Sequence, residues 1–299
     1  MRVCDAKGIA EALLGADPSP HPTRSKRSNG RARTPAPARR EPARPKSITA
    51  RPASDGDGAN GSDAPTITVT MPVWSRTPEL AEMAMRTIDR VWEVARLPME
   101  MVVVDNGSPE QRELRARVHR FEENRGVATA WNTGIELARA PVVAVLNSDC
   151  TVEPGWDEAL YEAVTTGRRI AFPYTDHCDG LGYRRPDQAG TAGWCFMLTQ
   201  DIYAEVGPFD ERFNPAYVED TDYWHRAWEL GIELTPVTDA RVVHARRTSS
   251  DNHSDWLLTG HRYLYGWKHG VEPMRAPPYY HREIVEYTGQ RAGSRASTT

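Results

Sequence analysis

The chain has 299 residues, of which 39% are hydrophobic, enough for the core of one large domain or two small ones. Its net charge of −4 is unevenly spread: residues 1–65 hold 12 Lys or Arg against 7 Asp or Glu, which leaves −9 for residues 66–299. No run approaches the roughly 18 apolar residues of a membrane span, no apolar stretch follows the first basic residues as in a signal peptide, and Cys4, Cys150, Cys178 and Cys195 lack CxxC or zinc-finger spacing. Free thiols of a cytoplasmic protein are the expectation.

The chain opens with a short amphipathic segment, AKGIAEALLGA, followed by the basic stretch RSKRSNGRARTPAPARREPARPKS. Residues 1–65 therefore read as a disordered Pro/Ala/Arg-rich tail. Such a tail can touch nucleic acid, an acidic partner or a membrane surface. No aromatic residues interleave its charges, so it reads as a solvated linker.

From Thr66 the periodicity alternates. TITVTMPV is a β-branched run, and after the RTPE cue Leu80, Met83, Ala84, Ile88, Val91, Trp92 and Ala95 share a helical face. MEMVVVDNGS is a second strand, apolar throughout as when both faces of a sheet are covered. A helix is predicted over residues 109–118. NRGVATAWNTGIELARA then places Val127, Ala130, Trp131, Ile135 and Ala138 on one stripe, and PVVAVLNSDC supplies a third strand. This order predicts an α/β domain with a mainly parallel, Rossmann-like sheet flanked by helices.

Ligands of such sheets sit beyond the carboxyl ends of the strands. Those ends here are Pro72-Val73-Trp74, Asp105-Asn106-Gly107-Ser108 and Asn147-Ser148-Asp149. A dinucleotide site fails at the first loop, because MPVWSRTPE has no glycine, and no GxxxxGK[ST] loop occurs. A carboxylate at a strand tip suggests a divalent metal instead, since Mg2+ and Mn2+ bind carboxylate oxygen and bridge to diphosphate.

VVVDNGS, NRGVATAWNTGIELA, VLNSDCTVEPGW and VGPFDERFNPAYVEDTDYWHRAWELG, in this order, resemble the family 2 glycosyltransferases of GT-A fold over residues 66–245. The resemblance is nearest to non-processive, rhamnosyltransferase-like members, since no Q-x-x-R-W signature follows EDTD. It implies a catalytic domain over residues 66–270, with a partly disordered extension at 271–299. It implies that Asp105 reads the base or ribose, with Pro72 and Val73 lining the same pocket. Asn124, Arg125 and Gly126 form the edge of the nucleotide site, and Arg125 is available to the diphosphate. Asp149 is the metal-binding acid of a DXD-like motif whose first acid is replaced by Asn147, a hydrogen-bonding amide that adds no charge, with Ser148 between them. His244 is the expected metal partner, and imidazole with carboxylate favours Mn2+ over Mg2+. Arg246 and Arg247 either offset diphosphate charge or face solvent.

By the same resemblance Asp220 is the general base of an inverting transfer from a UDP, dTDP or GDP sugar to a hydroxyl on a saccharide, protein or small molecule. Positions i and i+2 do not share a helix face, so Asp220 and Asp222 are not one metal clamp. Glu219 and Asp222 read as helix-capping acids. A helix N-terminus weakens a carboxylate as a base, so Asp220 needs late proton transfer or burial against Tyr217, Tyr223 or Trp224. Trp194 borders donor sugar and acceptor, or is a core aromatic. SDWLLTGHRYLYGWKHG is predicted as an amphipathic helix packing through Trp256, Leu257, Tyr263, Leu264 and Trp267. Two other readings stay open: an inactive GT-A-like nucleotide-binding or scaffolding protein, and a nucleotidyltransferase, for which the first loop supplies only Arg76.

Overall fold

The computed structural model describes residues 64–174, 193–245 and 255–272. The tail over 1–65, except its last two residues, lies outside them, as do Arg246, Arg247, residues 273–299 and Cys4 and Cys178. Eight strands, β1 (Ile67–Val73), β2 (Met99–Asp105), β3 (Arg117–Arg120), β4 (Val142–Leu146), β5 (Cys150–Val152), β6 (Arg169–Tyr174), β7 (Cys195–Thr199) and β8 (Glu233–His244), form one sheet. Six helices accompany them: α1 (Pro78–Val94), α2 (Val127–Glu136), α3 (Trp156–Thr165), α4 (Gln200–Val206), α5 (Glu219–Glu229) and α6 (Asp255–His269).

The sheet order is β3-β2-β1-β4-β7-β6-β8-β5. Strands β1, β2, β3 and β4 pair in parallel, as the alternating pattern predicts, whereas β7 runs antiparallel between β4 and β6. The apolar strands are covered on both faces. Ile67, Val69 and Met71 pack with Ile88 and Val91 of α1 and Trp156 and Leu160 of α3 on one side. Val143, Val145, Phe172 and Phe196 meet Trp131 of α2 and Trp224 of α5 on the other. Helix α1 starts where Thr77 Oγ1 accepts the Leu80 N–H at 3.4 Å and Pro78 fills the first turn, which has no donor to lose there.

Two expectations fail. Residues 109–118 form no helix; the chain is irregular to Ala116, and Arg117–Arg120 is an edge strand. Its apolar residues Leu114, Ala116 and Val118 recur every second position, which is the strand period, and no helical stripe exists to bury. The C-terminal helix does form and buries Leu257 and Leu264, but Trp267 is 60% exposed. The face of α6 that packs on the domain instead carries Gly260, His261, Leu264 and Tyr265.

Candidate active site

Parallel pairing of β2, β1 and β4 brings Val73, Asp105 and the residues after Leu146 to one sheet edge, with Val73 directly opposite Asp105. Asp105 is 5% exposed; its Oδ1 accepts the Ser108 N–H at 2.8 Å and its Oδ2 pairs with Arg120. Val73, Asp105, Arg112 and Arg120 line one narrow cleft, with Pro72 adjacent on β1. The NRG loop is organised by Asn106, whose Nδ2 donates to Asn124 Oδ1 at 3.0 Å and to Gly126 O at 3.1 Å while its Oδ1 accepts the Arg125 N–H at 2.8 Å. Asn124 therefore spends its carbonyl inside the loop, where it also accepts the Gly126 N–H at 2.8 Å. The exposed Arg125 guanidinium lies 5.0 Å over the Phe121 ring. Gly126 has φ +90, and a Cβ there would fall 2.3 Å from Asn214 Oδ1. Asn214 uses that space to cap α2: its Oδ1 accepts the Ala128 N–H at 3.1 Å and its Nδ2 donates to Thr129 at 2.8 Å.

Beyond β4 the chain turns back as β5, which pairs antiparallel with β8 so that Cys150 faces His244. This register delivers His244 Nε2 to 3.0 Å from Asp149 Oδ1. Asp149 is 6% exposed and its carbonyl accepts the Ala245 N–H at 2.8 Å. The buried Thr87 hydroxyl of α1 reaches both Ser148 O and Cys150 O at 2.9 Å and holds the turn down. The Trp194 ring stacks on His244 at 5.2 Å with planes 6° apart, and the Trp194 carbonyl accepts the Asn147 N–H at 2.8 Å. Cys150 completes a group of three potential ligands. Burial, with Asp149 beside it, pushes the Cys150 thiol well above its ordinary pKa.

Asp220 is half-buried in the first turn of α5. Its Oδ2 accepts the Gly193 N–H at 2.9 Å and its Oδ1 accepts the Thr221 N–H at 2.6 Å. Burial pushes its carboxyl up from the ordinary value, partly offset by those bonds. The close neighbour is Gly193, wedged against Trp131, while Tyr223 and Trp224 are spent in the core. Glu219 and Asp222 are not simple caps. Glu219 is 6% exposed with Oε2 unpartnered, and burial followed by Asp220 pushes it well above the ordinary range. Asp222 is fully buried and faces away from Asp220, toward Arg226, Lys268 and His269 at 2.9, 2.6 and 2.8 Å.

The structure thus brings Asp149, His244 and Trp194 together, and places Asp220 against Gly193, the residue before Trp194. Asn106, Arg120, Gly193 and Asn214 are the partners that sequence reasoning passed over. Asn106 and Asn214 stand inside quoted motifs, whereas Arg120 carries no local signal. The family model described as Glycosyl transferase family 2 matches residues 68–224, more than half of the chain. The chain belongs to glycosyl transferase family 2. This glycosyltransferase is 27% identical to the glucosyl-dolichyl phosphate glucuronosyltransferase of Haloferax volcanii, over 64% of its own length and 72% of that protein. It is 24% identical to glycosyltransferase AglE of the same organism, over 77% and 88% of the two chains. Its fold is the GT-A type: it superposes on the crystal structure of GalNAc-T7 with UDP, GalNAc and Mn2+ with a TM-score of 0.54 at 17% identity, covering 69% of this chain and 50% of that one. Among the described residues no helix of the transferase is long and apolar enough to cross a membrane.

Proposed function

We propose that this glycosyltransferase moves one sugar from a nucleoside diphosphate donor to an acceptor hydroxyl with inversion, Asp220 acting as general base and Asp149 and His244 holding a divalent cation. The observation that carries this reading is the pair of consecutive residues between the two groups. Gly193 donates to Asp220 while Trp194 stacks on His244, so one short backbone segment touches both the base and the cation pair. A carboxylate oxygen and an imidazole nitrogen 3.0 Å apart, on a buried and anchored turn, suit Mn2+ or Mg2+, with Mn2+ favoured by the nitrogen. Asn147 adds no charge, so a cation held here would rely on Asp149 and His244 among these residues.

The cation supplies charge neutralisation at the leaving diphosphate. The side chains do the rest. Asp105, Pro72, Val73 and Arg120 surround the base and ribose of a UDP, dTDP or GDP donor, Arg125 faces the diphosphate from the rim of the NRG loop, and Trp194 borders the sugar. Asp220 takes the acceptor proton as the hydroxyl oxygen bonds to the anomeric carbon and the carbon–oxygen bond to the diphosphate breaks, its electron pair staying on phosphate oxygen. Burial offsets the weakening effect of the helix N-terminus on this base. Burial, with Asp220 beside it, pushes the neighbouring Glu219 carboxyl well above its ordinary range. The catalytic unit on this reading spans residues 66–270.

Mass spectrometry of the chain incubated with Mn2+ and UDP, dTDP or GDP sugars tests the donor class, and Asp220→Asn tests the base. The variant is expected to lose about 10²–10⁴-fold in turnover at unchanged nucleotide affinity. Native turnover in Asp220→Asn would remove the base assignment.

A further inference from the structure

Residues 214–220 join the donor edge to the base. At their start Asn214 and the Pro215 carbonyl cap α2, the latter accepting the Val127 N–H at 2.9 Å. At their end Val218 caps α5, its carbonyl accepting the Asp222 N–H at 2.9 Å. Between them Tyr217 and Val218 have φ of 78 and 74. Two successive non-glycine residues in the left-handed region are uncommon, and a β-branched valine there is an outlier that persists only where its surroundings impose it.

The surroundings that impose it come from α6. His261 is 1% exposed, and its Nδ1 lies 3.0 Å from the Ala216 carbonyl oxygen and 2.9 Å from that of Tyr217. Both partners are acceptors only, so Nδ1 carries the hydrogen and shares it between them. The ring is fixed in turn by an edge contact with Phe213 at 5.6 Å, and Val218 packs with Phe213, Leu264 and Tyr265. A helix remote in sequence thus pins the carbonyls that flank Tyr217, the first residue of the left-handed turn.

We propose that His261 is a positioning residue for glycosyl transfer: by clamping the Ala216 and Tyr217 carbonyls it holds the left-handed turn that sets where α5 begins and therefore where Asp220 points. Rotation of Val218 back to negative φ swings the first turn of α5 away from Gly193. The inference rests on the reading of Asp220 as the base, and the experiment separates the two. Asparagine places an amide N–H where Nδ1 stands, glutamine carries it one methylene too far, and leucine removes it.

The full chain carrying His261→Asn, His261→Gln, His261→Leu, His261→Leu with Val218→Gly, and Asp220→Asn is compared for kcat on the donor sugar turned over by the native chain, and for affinity toward that donor's nucleotide product with Mn2+. The Leu and Gln variants are expected to lose about 10²-fold in kcat, the scale of an ångström-sized misplacement, with nucleotide affinity within about twofold of native. Asparagine restores most of the rate. Glycine at 218, which adopts positive φ without penalty, recovers about tenfold in the Leu background. Native kcat in a folded Leu variant overturns the proposal, and so does a loss that neither Asn nor Val218→Gly repairs. If the Leu variant does not fold, the Asn and Gln pair decides, equal turnover in both being the overturning result. Asp220→Asn at native rate removes the base assignment and with it the route through which the clamp acts, whereas a slow Asp220→Asn beside native-rate His261→Gln and His261→Leu removes the clamp alone.

Discussion

At the scale of single residues the site is a set of carboxylates whose neighbours assign them different states. Asp220 is raised by burial, and as a base it works only when ionised. Turnover should therefore fall as pH drops through a pKa above the ordinary aspartate value. A kcat–pH profile checks this, and an acid limb at or below the ordinary carboxylate range contradicts it. On the proposed reading Asp149 is the counterpart on the cation side. Asp149→Ala is expected to abolish the Mn2+ enhancement of nucleotide binding in calorimetry while leaving Mn2+-free binding near native, and His244→Ala is expected to weaken it about 10-fold or more, on the scale of losing a ligand-shell group. Both residues were legible in the sequence as strand-end positions. The state of Glu219 was not, because an acid at a helix start looks the same whether it faces water or, as here, the interior.

Among elements, the informative pair is α5 and α6. Asp222 has no exposure and is met by Arg226 from its own helix and by Lys268 and His269 from the last turn of α6. Burial alone raises such a carboxyl, but His269, Arg226 and Lys268 outweigh it and hold Asp222 below the ordinary range. A depressed pKa stabilises the fold at neutral pH, and that contribution is lost as pH falls below the ordinary aspartate value toward the folded one. Asp222→Asn removes the charged acceptor of Arg226, Lys268 and His269, while Lys268 keeps Asp210 and Arg226 keeps two backbone carbonyls, and is expected to cost about 1.5–3 kcal/mol in chemical denaturation at pH 7, with the difference from native shrinking in acid. A change below about 0.5 kcal/mol would show the cluster to be dispensable. The sequence marked α1 well, through Thr77, Pro78 and a clear stripe. It misled at residues 109–118, where the adjacent charges Arg112 and Glu113 break the alternation and only Leu114, Ala116 and Val118 carry the strand period, and at α6, where bulky aromatics drew attention from Gly260 and His261.

For the whole molecule, the parallel half of the sheet was readable because each strand, helix and return is contiguous in sequence, so β1, β2 and β4 announce their shared edge. The other half was not. Nothing local in CFMLT tells that β7 reverses direction beside β4, or that β8 crosses β6 to end on β5. Those pairings are long-range and follow from which apolar faces remain uncovered once the first half is built. They matter for function, since the antiparallel β7 enters the sheet at the edge where β1, β2 and β4 leave it. That reversal puts Gly193 and Trp194 between Asp220 and His244.

The register that joins Cys150 to His244 spans roughly 90 residues of chain. Contacts of such separation are entropically expensive and late to form. The strands that hold Val73, Asp105 and the NRG loop can assemble from the first half of the sequence, while the Asp149–His244 pair waits for the last strand. On the proposed reading, a polypeptide still being synthesised has most of its nucleotide-facing strands in hand but lacks the Asn214 cap on α2 and the His244 side of the cation pair until residues 214 and 244 have left the ribosome.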